Sequence, residues 1–320
     1  MPEGIFRLIA VRLAQAIPLL IAISFVVFAL VYLAPGDPVR TLLGAKSATP
    51  EAIAAIRKQY NLDDPFLVQY GKWLWQVLHF DLGRSIAGNR KVLLMIGERL
   101  NVSLTLAALS SVVVLACGVG LGVLAALRRG SWVDRFAVTL GVLGISSPAF
   151  VTGIFLLYLF GVVLGWFPVY GAGDPGLDRI WHLILPAIAL AFSVMAIIVK
   201  ITRAGMIEAL GKDYVTFARA RGLSFRRVVF NYALRNALIP VVTAAGLVIV
   251  GLVAGSIYVE TTFALPGLGT LVVDAVSKRD IPLIQGTTLV FSVFVVLANL
   301  IIDVLYVLID PRIRYSGAKS

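Results

Sequence analysis

The sequence predicts an all-α integral membrane protein with six transmembrane helices and both termini in the cytoplasm. Three observations carry that prediction. The 320 residues have a mean hydropathy of +0.94 and only 14% charged side chains, whereas soluble domains carry about 25%. Six apolar stretches, roughly 13–33, 104–127, 136–164, 183–201, 237–259 and 286–309, approach or exceed the about 20 residues that a span requires. The Lys and Arg residues fall between these stretches rather than in a basic domain, so the net charge of +11 reads as membrane orientation and not as nucleic-acid binding.

The first span follows Arg7 and Arg12. Its apolar part is longer than the 7–15 residues of a signal-peptide core, and it runs into "YLAPGDP" with no small-x-small cleavage site, so it is expected to be retained. With the N-terminus inside, the cytoplasmic segments hold 2, 3, 8 and 3 Lys or Arg, and the two short outer loops hold 1 and 2. The 34–101 segment holds 9, but segments of that length translocate largely regardless of charge.

This gives three parts: residues 1–33 with the first span, an extracytoplasmic helical lobe at 34–101, and a core at 102–320 carrying five spans and the loop 204–235. In the lobe, Thr49 and Pro50 open "TPEAIAAIRKQY", and Asp64 and Pro65 open "DPFLVQYGKWLWQVLHF". Each pair has a capping residue followed by proline at the first helical position. Leu67, Tyr70, Leu74, Val77 and Leu78 predict the apolar face of the second helix. The lobe is expected to pack on the outer membrane surface.

The loop 204–235 contains "ARARGLSFRR" at 218–227, with four arginines in ten residues. Asp213 is a candidate cap for a short helix from Tyr214 to Arg221, with Gly222 just past its end. Ser224 is a candidate cap for a second helix, whose Phe225, Val228, Val229 and Tyr232 form one apolar stripe. The loop therefore predicts a helix-turn-helix bracket. Two roles compete for it: an amphipathic hairpin on anionic lipid, or a docking element for a cytoplasmic partner, favoured by the small residues Ala218, Ala220 and Gly222.

Chemistry of other kinds is missing from the sequence. No G-x-x-x-x-G-K-[ST] stretch is present to cradle nucleotide phosphates. "GVGLG" at 118–122 lies inside a span, where Gly118 and Gly122 make a small-xxx-small packing surface. "GAGD" at 171–174 falls in a loop, no G-x-S-x-G or H-E-x-x-H occurs, and Cys117, His79 and His182 have no companions at metal-ligand spacing. The chain is read as a non-enzyme without cofactor or metal. In the last span Asn299, Asp303 and Tyr306 share one helix face. They predict either a polar clamp between helices or, with Asp303 as an ion relay, a gradient-driven carrier.

"DYVTFARARGLSFRRVVFNYALRNALIPVVT" resembles the cytoplasmic EAA-type loop of ABC importer permeases, in the dipeptide/oligopeptide/nickel branch. "APGDP", "YNLDDPFLVQYGKWLWQVLHFDLGRS", "SSPAFVTG", "ETTFALPGLGTLVVDAVSKRDIPLIQG" and "DPRIRY" extend the likeness, in order, over nearly the whole chain. Thr216 and Phe217 depart from the acidic residue and alanine of the general pattern, and Phe80 stands where the branch usually has glycine.

The resemblance implies a type I ABC importer permease fold in a bacterial or archaeal cytoplasmic membrane. The partners it implies are a homologous second permease, two cytoplasmic ATPases that bind ATP and Mg, and an extracytoplasmic solute-binding protein. The bracket would be the coupling helix, with Asp213, Tyr214, Phe217, Ala218 and Arg219 at the ATPase and Gly222 setting the bend. Glu260, Pro266, Gly267, Gly269 and Asp280 would lie in the segment facing the binding protein. Peptides are the first substrate class implied; nickel chelates, glutathione and oligosaccharides are the alternatives within the branch.

Overall fold

A computed structural model describes residues 2–33, 39, 49–59 and 61–309. The helices are α1 (Pro2–Leu33), α2 (Pro50–Gln59), α3 (Phe66–Leu78), α4 (Val92–Leu127), α5 (Trp132–Ser146), α6 (Ala149–Val163), α7 (Leu177–Leu210), α8 (Asp213–Ala220), α9 (Phe225–Thr262), α10 (Leu268–Ser277) and α11 (Ile281–Ile309). Among the described residues the only β feature is one isolated antiparallel bridge, Arg84 to Lys91.

Five helices, within α1, α4, α7, α9 and α11, are long and apolar enough to cross a membrane. The third expected span is broken: α5 and α6 meet at 108°. Pro148 is the cause. It disfavours helical backbone at the residue before it, and Ser147 is accordingly extended at φ −103° and ψ 118°. Counted as one broken element, the pair gives six. By contrast Pro186 and Pro240 sit inside the continuous helices α7 and α9, which begin well before the expected span starts. A π-helical turn, Val228–Leu234, precedes Pro240.

The chain forms two compact units. Of the described residues, one contains 103–265 and 298–309; the other contains those within 9–102 and 266–297. Residues 266–297 thus group with the lobe and the first span rather than with the rest of the expected core.

In the first unit α7 is central, packing on α5, α6 and α9. Leu183, Leu190, Ile198 and Met206 are fully buried along it. Close approach is possible because the neighbours present glycine. A Cβ on Gly118 would lie 2.8 Å from the Ile198 side chain, and one on Gly122 would lie 2.6 Å from Thr202. Gly118 and Gly122 are therefore packing residues, as their spacing predicts.

In the second unit α3 lies against the C-terminal third of α1. Phe25, Phe28 and Tyr32 meet Phe66, Tyr70 and Trp73 in an aromatic cluster with centroid separations of 5.0–6.2 Å. The Tyr70 hydroxyl is 2.8 Å from Ser24 Oγ. Gln69 is buried on this face: Tyr32 donates to its Oε1, and its Nε2 donates to the Asp64 carbonyl at 2.7 Å. The packed face is therefore rotated from the expected one, because the aromatic cluster decides it. Leu67 and Leu78 are exposed. Pro65, not Asp64, occupies the cap position, and Asp64 instead pairs with Lys72 at 2.6 Å.

Candidate functional site

The bracket at 204–235 takes a different form from the one its sequence predicts. α7 continues to Leu210, and α8 follows after Gly211 and Lys212. Lys212, in extended backbone, is the N-cap, and its side chain makes no capping bond. Asp213 is the first helical residue, where its charge favours the helix N-terminus.

At the other end Gly222 has φ +76°, its N–H reaches the Arg219 carbonyl at 2.9 Å, and the Leu223 N–H reaches the Ala218 carbonyl at 3.3 Å. That is a Schellman closure, which needs left-handed backbone at this glycine. Ser224 caps the next helix through its backbone only, accepting from the Val228 N–H at 3.0 Å. The second arm of the bracket is no separate helix; it is the first turns of α9 itself.

Two turns of α8 present two faces. Val215 and Ala218 are buried against Val228, with Leu223 and Tyr232 packed beside them. Ala218, expected to touch a partner, instead faces its own chain, because its spacing from Val215 puts it on the inward side. Asp213, Tyr214, Arg219 and Gly222 are exposed, and Phe217 is 69% exposed. Phe225 is exposed too, off the stripe of Val228, Val229 and Ala233 that is buried. Val229 and Ala233 join Met206 and Ala209 of α7 and Val123 and Ala126 of α4 in one cluster, while Val228 packs with Val215 and Ala218 of α8.

A second device at this end of the unit was not anticipated from the sequence. Asp134 of α5 accepts from Arg203 of α7 at 2.6 Å (Nε to Oδ1) and 2.8 Å (NH2 to Oδ2), and the Gly130 N–H donates to Asp134 Oδ2 at 2.9 Å. The bidentate fork fixes α5 to α7 by direction as well as charge. The signal was one acidic residue just past Ser131 at a helix start and one arginine at the end of a span. Pairing them required the fold.

Four of the five residues named in the segment expected to face a binding protein are buried. Glu260 is fully buried and accepts from Ser103 Oγ at 2.6 Å. Asp280 is buried; Ser85 Oγ donates to it at 2.5 Å, and the Ile86 and Ala87 N–H groups each donate at 3.1 Å. Gly267 and Gly269 are buried beside Leu268 at the start of α10, and Pro266 alone of the five is exposed. These carboxylates staple helices and loops together, as buried charge requires hydrogen-bond partners. In α11, Asn299 is exposed and Asp303 half-buried, and neither lacks a polar partner. The Tyr306 side chain lies outside the described residues. No cluster of three or more metal-ligating side chains occurs among the described residues.

Residues 118–315 match the family described as the binding-protein-dependent transport system inner membrane component, and residues 5–107 match the N-terminal part of such membrane components. The chain belongs to this permease family. The permease is 42% identical over 311 residues to a Brucella abortus (strain 2308) protein named for peptide transport as a system permease; the match covers 96% of this chain and 99% of the relative. It is likewise 42% identical over 304 residues to the glutathione transport system permease protein GsiC of Salmonella typhimurium, covering 95% and 97%. A solved structure of the MetNI methionine ABC transporter in inward-facing conformations shares the fold, with TM-score 0.56 and 16% identity over 68% of this chain and 96% of that one. The permease is thus a multi-pass inner membrane subunit of an ABC importer and is not itself the ATPase.

Proposed function

We propose that the permease imports di- and oligopeptides, driven by two cytoplasmic ATPase subunits that bind ATP and Mg. A homologous second permease would complete the pathway, and an extracytoplasmic solute-binding protein would deliver cargo. Both termini are cytoplasmic in this reading and the 34–101 lobe is outside. Glutathione is the second reading, favoured by the equal identity to the Salmonella permease; a tripeptide itself, it asks for similar chemistry of the pathway.

The observation that carries the mechanism is α8, a short helix clamped by Val215 and Ala218 on one side and offering Phe217 on the other. An exposed aromatic on a rigid, pre-formed element suits the role of an anchor in a partner's groove. Tyr214 and Arg219 flank it. Closure of the ATPases would draw α8 along, and the cluster around Val229 and Met206 would carry the displacement into α9, α7 and α4.

The test is purification in mild detergent from the native membrane, with partners identified by mass, for the wild type and for Phe217→Ala. Two ATPase chains and a second permease are expected with the wild type. Truncating an aromatic anchor costs roughly 2 kcal/mol or more, or about 30-fold in ATPase retention, with membrane insertion unchanged. Undiminished retention and uptake in Phe217→Ala would rule out α8 as the coupling contact. Ala218→Arg is the wrong probe, since it would disrupt the permease's own packing.

A further inference from the structure

We infer that the permease carries a binding site for one anionic phospholipid, formed by Arg84 and Lys91 at the membrane end of α11 and lined beyond them by apolar side chains. The inference is independent of which leaflet faces the cytoplasm.

Its depth follows from three contacts within one unit. Gln285, about 6 Å into α11 at 1.5 Å per residue, donates to the Val27 carbonyl at 3.1 Å, and Val27 lies just inside the apolar segment Ile9–Leu30 of α1. A Cβ on Gly286 would lie 2.5 Å from the Val92 side chain and 3.5 Å from that of Leu82, so α11 packs closely on this segment. Asp280, just before α11, takes the Ser85 hydroxyl and the Ile86 and Ala87 N–H groups. The segment from Leu82 to Val92 is thereby fixed level with the ends of two membrane spans, where lipid headgroups lie.

A cavity of 540 Å³ opens in that segment. Arg84 and Lys91 lie on its wall, side by side across their antiparallel bridge. Arg84 spends one donor on the Asn89 carbonyl at 3.1 Å, leaving the rest of its fork. The one carboxylate on the wall, Asp81, accepts from the Gly83 N–H at 3.0 Å, and His79 Nδ1 is engaged with the Trp75 carbonyl at 2.8 Å. The wall is completed by Leu82, Leu93, Leu94 and Phe80. Leu94 is 59% exposed, Phe80 75% and, just before the cavity, Trp75 66%.

Two cations and one internally engaged carboxylate favour an anion, and apolar side chains open to the same level favour acyl chains attached to it. A diester phosphate with lipid tails satisfies both; free phosphate satisfies only the first. Trp75 beside the site matches the preference of indole for the interface.

The experiment uses the whole purified permease complex and native mass spectrometry with phosphatidylglycerol or phosphatidylcholine as the probe. Wild type should retain phosphatidylglycerol selectively. Lys91→Gln should weaken that retention about fivefold and Arg84→Gln with Lys91→Gln about 30-fold, at roughly 1 kcal/mol per cation near a lipid surface, with phosphatidylcholine unaffected. Arg90→Gln, which removes a nearby cation paired with Glu98, should have little effect. If the double variant does not survive extraction, the Lys91→Gln comparison decides alone. Unchanged phosphatidylglycerol retention overturns the inference. So does an equal loss of both lipids, displacement by inorganic phosphate at matching concentration, or an effect of the variants confined to capture of the solute-binding protein.

Discussion

Phe80 holds left-handed backbone, φ +61°, in the turn between α3 and the Leu82–Val92 segment. Glycine, which the sequence resemblance leads one to expect there, would suit this turn: a side chain in this region costs roughly 1–2 kcal/mol, and glycine has no Cβ to clash. The turn is kept here with the strain in it. Its N–H still reaches the Val77 carbonyl at 3.0 Å, and the Asp81 N–H reaches the Gln76 carbonyl at 2.9 Å. The exposed ring has little packing to lose on removal. Phe80→Gly should therefore stabilise the protein by roughly 0.5–1 kcal/mol, the relief of strain less the extra freedom of glycine in the unfolded chain. Thermal melting in detergent checks this; a lower midpoint would mean that the ring is held by lipid or a partner.

Among the elements, α7 shows how much a helix owes to what its neighbours lack. Gly122 and Gly120 lie on the same helix, but only Gly122 meets α7, with the Val199 carbonyl 2.9 Å from where its Cβ would stand. Gly120 faces open space. Gly122→Val should destabilise by about 1–3 kcal/mol through overpacking, and Gly120→Val should be nearly neutral, as judged by the melting of the two variants side by side. Equal effects would mean that helix propensity, not packing, governs α4. This spacing was legible in the sequence, as were the long apolar spans and the glycine closing α8, because each depends on local pattern. The break in the third element follows from Pro148, but its 108° angle depends on neighbours and not on local pattern. The inward turn of Ala218, the burial of Glu260 and Asp280, and the Asp134–Arg203 fork were not legible, since each is a pairing between distant segments. For the buried carboxylates, the motif resemblance singled out the stretches that carry them, but their hydrogen-bond partners Ser103 and Ser85 lie far away in the chain.

For the molecule as a whole, the placement of its carboxylates bears on the source of energy. A gradient-driven carrier routes its ion through a series of titratable groups across the membrane core. The buried carboxylates among the described residues, Asp134, Glu260 and Asp280, lie near the start of α5, near the end of α9 and just before α11. Each is held by hydrogen bonds within its unit. Asp303 stands within α11, half-buried and not free of polar contact. That distribution fits structural clamping, and it agrees with membership in an ABC importer family. Asp303→Asn should then lower stability by about 1–2 kcal/mol, the scale of a weakened hydrogen bond to a charged group, while uptake per assembled complex stays ATP-dependent and indifferent to a protonophore. Proteoliposomes holding the wild type and the variant at equal reconstitution distinguish the cases. Collapse of uptake in Asp303→Asn with assembly intact, together with a wild-type rate that follows the pH gradient, would instead make Asp303 a relay.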